Sequence, residues 1–129
     1  SKVNKILDAN TILNMRQLVR QVPVASHVRD YIIKLILATH PDNEETPEIV
    51  QKYVYVGSSI RGAQGIELTA KALALVNGRY NIAFDDVNKV AHSVLRHRIL
   101  MSFEGEAEGI QADAVIDEIL KSINNVSGG

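Results

Sequence analysis

The chain has 129 residues, enough for one domain around a single core. It is 46% hydrophobic and 22% charged. Its 14 basic and 15 acidic residues leave a net charge of -1, which gives neither a basic nucleic-acid footprint nor an acidic tail. There is no cysteine, which excludes a disulfide framework and a Cys-ligated zinc site, and no apolar run nears the roughly 20 residues a membrane span needs.

The pattern predicts five helices and one short extended segment. The first helix covers about Thr11 to Gln21, with Ile12, Met15, Val19 and Val22 at three- and four-residue spacing. Pro23 stops it, because proline disfavours helix in the residue before it. The second covers about Ser26 to Thr39, with Ser26 as the expected cap and an apolar stripe of Val28, Tyr31, Ile32, Leu35 and Ile36. A polar loop follows, then one turn around Pro47 to Gln51. Tyr53-Val54-Tyr55-Val56 is β-branched and aromatic, hence extended, but too short and isolated to predict a sheet.

The third helix covers about Ser59 to Asn77, with Ile66, Thr69, Ala70, Leu73 and Val76 on one face and Gly78 at the C-terminal cap. Glu67 and Lys71 are spaced to pair at i,i+4. The fourth covers about Phe84 to Met101, with Val87, Val90, Ala91, Val94, Leu95 and Arg98 on one face. Asp85 and Asp86 suit its positive N-terminal end. Ser102 to Gln111 reads as an acidic loop, and the fifth helix covers about Asp113 to Ile123. Amphipathic helices with short connectors predict an all-α, compact bundle.

Most familiar chemistry is missing. There is no GxxxxGKS/T phosphate loop, no GxGxxG after a strand, no HExxH and no GxSxG. The histidines His27, His40, His92 and His97 are scattered, so no metal site is expected. One stretch breaks the helix rules. Arg61 falls in the first turn of the third helix, where a cation is unfavourable by roughly 0.3–1 kcal/mol. Gly62 and Gly65 follow, each about 1 kcal/mol worse than alanine inside a helix. Close helix packing is one explanation. The other is an arginine aimed at an external anion, whose planar fork suits phosphate. A second basic cluster, Arg96-His97-Arg98, spreads around its helix. Arg98 continues the apolar stripe as a packed, paired arginine, while Arg96 and His97 are candidate subunit contacts.

Gly57-Ser58-Ser59-Ile60-Arg61-Gly62-Ala63-Gln64 resembles the segment that carries the "sensor 2" arginine in MoxR-family AAA+ ATPases, where the usual form is GSSPRG or GASPRG. Ile60 stands where proline is common. Gly78-Arg79, Asp86-Val87 and Ala91 resemble the spine of the AAA+ lid, and Val94-Leu95-Arg96-His97-Arg98-Ile99 resembles the family's VLRHRL. The resemblance runs from about Ile6 to Ile123.

It implies the small helical lid domain of such an ATPase. The implied organisation is an N-terminal linker from a missing ATPase core over 1–9, the lid over 10–124 and a disordered tail over 125–129. Ser1 in place of methionine fits an excised piece. Arg61 matches the arginine that touches the γ-phosphate of ATP, with Ser59, Gly62 and Gln64 supporting the nucleotide site. The lid would couple ATP binding and hydrolysis in the core to movement of a ring. ATP and Mg2+ would be held mainly by the core, so the fragment alone is expected to bind neither and would not hydrolyse ATP.

The implied partners are its own core, neighbouring subunits of a hexamer, and von Willebrand factor A domain proteins, in a chaperone-like role in a bacterial cytoplasm, with no nucleic acid and no membrane span. The competing readings are a free-standing helical protein-binding adaptor and, against the net charge, a nucleic-acid-binding domain using Arg96 and Arg98.

Overall fold

The computed structural model describes Gln17 and residues 21–127, with side chains as far as Asn124. The expected linker 1–9 lies outside the described residues, as does the first predicted helix except for Gln17 and Gln21. The elements are α1 (Ser26–Leu37), α2 (Glu48–Tyr53), β1 (Val54–Val56), α3 (Ile60–Val76), α4 (Phe84–Leu95), β2 (Leu100–Met101), α5 (Phe103–Ala107) and α6 (Ala112–Ser127). The fold is a compact helical bundle, as expected, with one small two-stranded sheet.

The core forms where the apolar stripes of α1, α3, α4 and α6 meet. In α1 all five expected residues are buried, from Val28 to Ile36. Ile66 of α3, Leu95 of α4, and Ile116 and Ile119 of α6 are fully buried. Each such side chain contributes about 1.5–3 kcal/mol relative to exposure. The Tyr31 hydroxyl sits between Asn88 of α4 and Asn124 of α6, tying three helices together. Burial raises the pKa of that phenol, and the ring stacks on Phe84 with centroids 4.6 Å apart.

Several local expectations change. Ser26 starts α1 as its first helical residue, and Ala25 occupies the cap without a side-chain bond. The buried face of α3 is Gly62, Ala63, Ile66, Ala70 and Ala74. Thr69 is exposed and Val76 is 70% exposed. Small residues let α3 lie close to its neighbours, so its inner face is set by size as much as by hydropathy.

The largest correction concerns residues 96–111. The fourth helix ends at Leu95, and Arg96 to Arg98 form a turn. Leu100–Met101 then pairs antiparallel with Val54–Val56, so the extended segment has a partner after all. Ile99 is four residues after Leu95 and buried either way, so apolar spacing could not separate helix from turn and strand. The expected acidic loop contains a short helix, α5. Ser102 caps it by accepting the Gly105 N–H at 3.0 Å, and Gly105 is buried against the Tyr53 carbonyl, where a Cβ would come within 2.8 Å.

Candidate functional site

The connection from β1 into α3 carries Arg61, and a hydrogen-bonded knot holds it to the end of α1. Thr39 Oγ1 donates to the Ile36 carbonyl at 2.6 Å and accepts the Ser58 N–H at 2.9 Å. His40 Nε2 lies 2.7 Å from the Ser58 carbonyl oxygen, so this nitrogen carries the proton and donates. Thr39 and Ser58 are both fully buried. Gly57 packs so tightly on the Thr39 backbone carbonyl that a Cβ has no room there. The first turn of α3 is therefore anchored to α1 through buried polar groups that are all paired.

On that anchor, Ser59 caps α3 by accepting the Arg61 N–H at 3.3 Å. Gly62 faces inward, where a Cβ would collide with the Ser58 hydroxyl and come within 3.2 Å of Ile36 Cδ1. Its smallness serves the α1–α3 contact. Gln64 and Arg61 face solvent. Arg61 makes no ion pair with any described residue.

The other charges at this side of the molecule are mostly engaged. Glu67 meets Arg29 at 2.8 Å and, as its spacing predicts, Lys71 at 3.5 Å. Arg96 makes a two-point contact with Asp113, Nε to Oδ1 at 2.9 Å and Nη2 to Oδ2 at 3.0 Å. That guanidinium holds the Asp113 carboxyl below its usual range. His92 meets Asp117 at 2.7 Å. The paired arginine of the basic cluster is thus Arg96, and Arg98 is exposed and unpaired among the described residues. The turn after Leu95 takes Arg98 off the apolar stripe on which a continuous helix would have placed it. His97 is exposed too.

At the far end of α3, a second arginine has the opposite setting. Gly78 has φ +75. The Gly78 N–H bonds the Leu75 carbonyl and the Arg79 N–H bonds the Ala74 carbonyl at 2.8 Å, which closes the helix end. Arg79 then grips Asp86 with both nitrogens of its fork. Asp86 also accepts the Ala83 N–H at 2.8 Å and is 1% exposed. The Arg79 guanidinium holds the Asp86 carboxyl below the ordinary carboxylate range, against the opposing effect of burial.

Sequence reasoning assigned Asp86 to helix-start electrostatics and missed this pair. The signal was there in the seven-residue spacing of Arg79 and Asp86 across a glycine turn. It also missed Thr39 and His40, whose shared partner Ser58 lies 19 and 18 residues away, respectively.

Residues 46–119 match the family model for the AAA lid domain. Over 122 residues, 95% of the chain, it is 29% identical to the chaperone MoxR1 of Mycobacterium tuberculosis. Over 107 residues, 81% of the chain, it is 30% identical to the uncharacterized protein YeaC of Bacillus subtilis. It covers 32% and 30% of those two proteins, so it spans about a third of the length of the curated relatives it matches. A crystal structure of a protein assigned as an ATPase from Cytophaga hutchinsonii superposes with a TM-score of 0.82 at 34% identity, covering 88% of this chain and 34% of that one. The chain belongs to the AAA lid domains, and is the lid of a MoxR-family AAA+ ATPase.

Proposed function

We propose that Arg61 is the sensor 2 arginine of the parent ATPase and reports the state of the nucleotide to the lid. The observation that carries this reading is an exposed guanidinium, without an ion-pair partner among the described residues, on a turn anchored by buried, paired polar groups. A fold that only needed stability would place no cation in the first turn of a helix. In the parent, ATP and Mg2+ lie mainly on the core, and Arg61 supplies positive charge where the γ-phosphate is transferred. Such charge stabilises the transition state electrostatically. Once that phosphate leaves, the contact is gone. Because Thr39, Ser58 and His40 tie α3 to α1, the change is passed to the lid as a body and so to a ring of subunits. Ser59 sets the entry of α3, and Gln64 is the remaining exposed polar group of its first turns.

The lid then acts in a hexameric, chaperone-like machine in the cytoplasm, with von Willebrand factor A domain proteins as partners. The domain begins at 10, with 1–9 as the link to the core, and α6 carries it to Ser127, past the expected boundary at 124 and into the stretch expected as a tail. The test is Arg61→Ala in the full-length protein. ATP turnover is expected to fall by about 10³-fold, the scale of a lost transition-state arginine, with nucleotide still bound. Unchanged turnover would remove Arg61 from the site.

One observation favours a second reading, a protein-binding adaptor. Tyr55, Val56, Ile60, Leu100 and Phe103 are all exposed, Phe103 by 90%. Phe103→Ser separates the two. In a lid whose role is nucleotide sensing, turnover survives this change better than it survives Arg61→Ala. An adaptor that anchors its partner through Arg61 and this patch loses the partner with Phe103→Ser as well as with Arg61→Ala.

A further inference from the structure

Helices α3 and α4 form an antiparallel hairpin closed at one end by Arg79 and Asp86. Its open end carries more positive charge than Arg61 alone. Gly65 makes a notch there. A Cβ on Gly65 would meet Val94 Cγ1 at 3.1 Å and Arg98 Nη2 at 3.9 Å, so the Arg98 guanidinium rests over the notch. Arg61 stands four residues before Gly65 on the same helix face, which separates the two positions by about 6 Å. The notch opens into a groove of about 470 Å3 lined by Gly65, Thr69, Ser93, Val94, His97 and Arg98.

Neither Arg61 nor Arg98 has a carboxylate partner among the described residues, and the nearby carboxylates are taken. Asp113 is held by Arg96, Asp117 by His92, and Glu67 by Arg29 and Lys71. Arg61 is not among the groove's lining residues and stands one helical turn beyond it, and like charges flanking Gly65 repel unless an anion lies with them. Each guanidinium offers five N–H donors and Thr69 adds a hydroxyl, whereas the Ser93 hydroxyl already donates to the Val90 carbonyl at 3.0 Å. That supply exceeds what the two oxygens of one carboxylate can accept, and it suits a chain of phosphoryl groups.

We propose that Arg98 is a second nucleotide-phosphate ligand, forming with Arg61 across Gly65 a two-guanidinium clamp on the phosphate chain. This rests on the reading of Arg61 given above and extends it to the turn after α4. The role also explains why Arg98 leaves the core while its neighbour Arg96 is paired. At the notch a Cβ on Gly65 would crowd Val94 Cγ1 at 3.1 Å, and only a longer side chain would reach the space that the Arg98 fork occupies.

The experiment is a titration of the isotope-labelled 129-residue chain with inorganic triphosphate, followed at the arginine Nε–H signals and the Gly65 amide. The Arg61, Arg98 and Gly65 signals are expected to move together and saturate. Arg98→Gln, checked for an unchanged melt, weakens binding by about tenfold, the effect of one lost charge-assisted contact. Lys89→Gln, which removes a positive charge elsewhere on α4, leaves it within about twofold. If only Arg61 moves, and Arg98→Gln binds as the parent does, the clamp is overturned and Arg61 stands alone. Citrate binding as tightly as triphosphate overturns the assignment to phosphate. Movement of neither arginine overturns the clamp, while turnover of the full-length Arg61→Ala variant decides the role of Arg61 independently.

Discussion

The two ends of α3 each carry an arginine near glycine, and they treat it in opposite ways. At the C-terminal end, Arg79 closes on a buried aspartate that also holds the Ala83 amide. At the N-terminal end the backbone is anchored as firmly, by Thr39, Ser58 and His40, yet Arg61 faces water with no ion-pair partner among the described residues. The difference separates two uses of the same side chain. Arg79 is consumed by the fold, whereas at the other end the fold is used to hold an arginine in place for something else.

The comparison is broken most severely by Asp86→Ala. The substitution removes three hydrogen bonds to a buried charge. Arg79 is 38% exposed, so water compensates part of the loss. The expected destabilisation is about 2 kcal/mol, or roughly 8 °C in Tm for a chain of this size. A parental melt would mean that Arg79 and Asp86 are merely solvated charges.

The same pair has a pH signature. The Asp86 carboxyl is held below its unfolded value by Arg79, as Asp113 is by Arg96. Their stabilisation is complete above the unfolded carboxylate value of about 3.9. It is lost as pH falls through the lower folded values, since protonation is then easier in the unfolded chain. Thermal melts between neutral pH and acid should therefore drop steeply only below that point, and Asp86→Asn should flatten the drop.

Gly65→Leu sharpens the picture at the open end. Val94 Cγ1 would stand 3.1 Å from the new Cβ, so overpacking is expected to cost about 1–3 kcal/mol. Gly78 is the contrast, with nothing within 4 Å of its Cβ position. There alanine is penalised only by the left-handed backbone, by about 1 kcal/mol. Equal effects at the two glycines would show that the notch between α3 and α4 is not a packing contact.

Much of the bundle was legible because α1, α4 and α6 bury one stripe each, and a stripe is written at helical spacing. The turn of Gly78 could be read because only glycine adopts its φ at ease. The strand pair could not, since β2 has two residues and its partner lies nearly fifty positions earlier. The anomaly at Arg61 was visible as a conflict with helix electrostatics, which is a local property. Its anchor was hidden because Thr39 and His40 act on Ser58 from another helix, and no periodicity links them. Arg96 and Arg98 were exchanged for the same kind of reason. Which of two neighbouring arginines meets Asp113 depends on where the helix stops, and the apolar spacing of Leu95 and Ile99 is silent on that.

The smallest effect is the most informative. Arg61→Ala in this chain removes an exposed side chain with no described partner. It also removes a cation from the positive end of α3. The first change is expected to stay within about 0.5 kcal/mol. The second should favour the variant by roughly 0.3–1 kcal/mol, less in salt. Tm should therefore hold steady or rise slightly, with the rise shrinking as ionic strength increases. A clear loss of stability would mean that Arg61 is bound into the fold as Arg79 is, and the contrast between the two ends of α3 would disappear. A steady or raised Tm alongside impaired turnover in the full-length protein would leave the energetic reason for Arg61 outside this chain, in the anion it reaches.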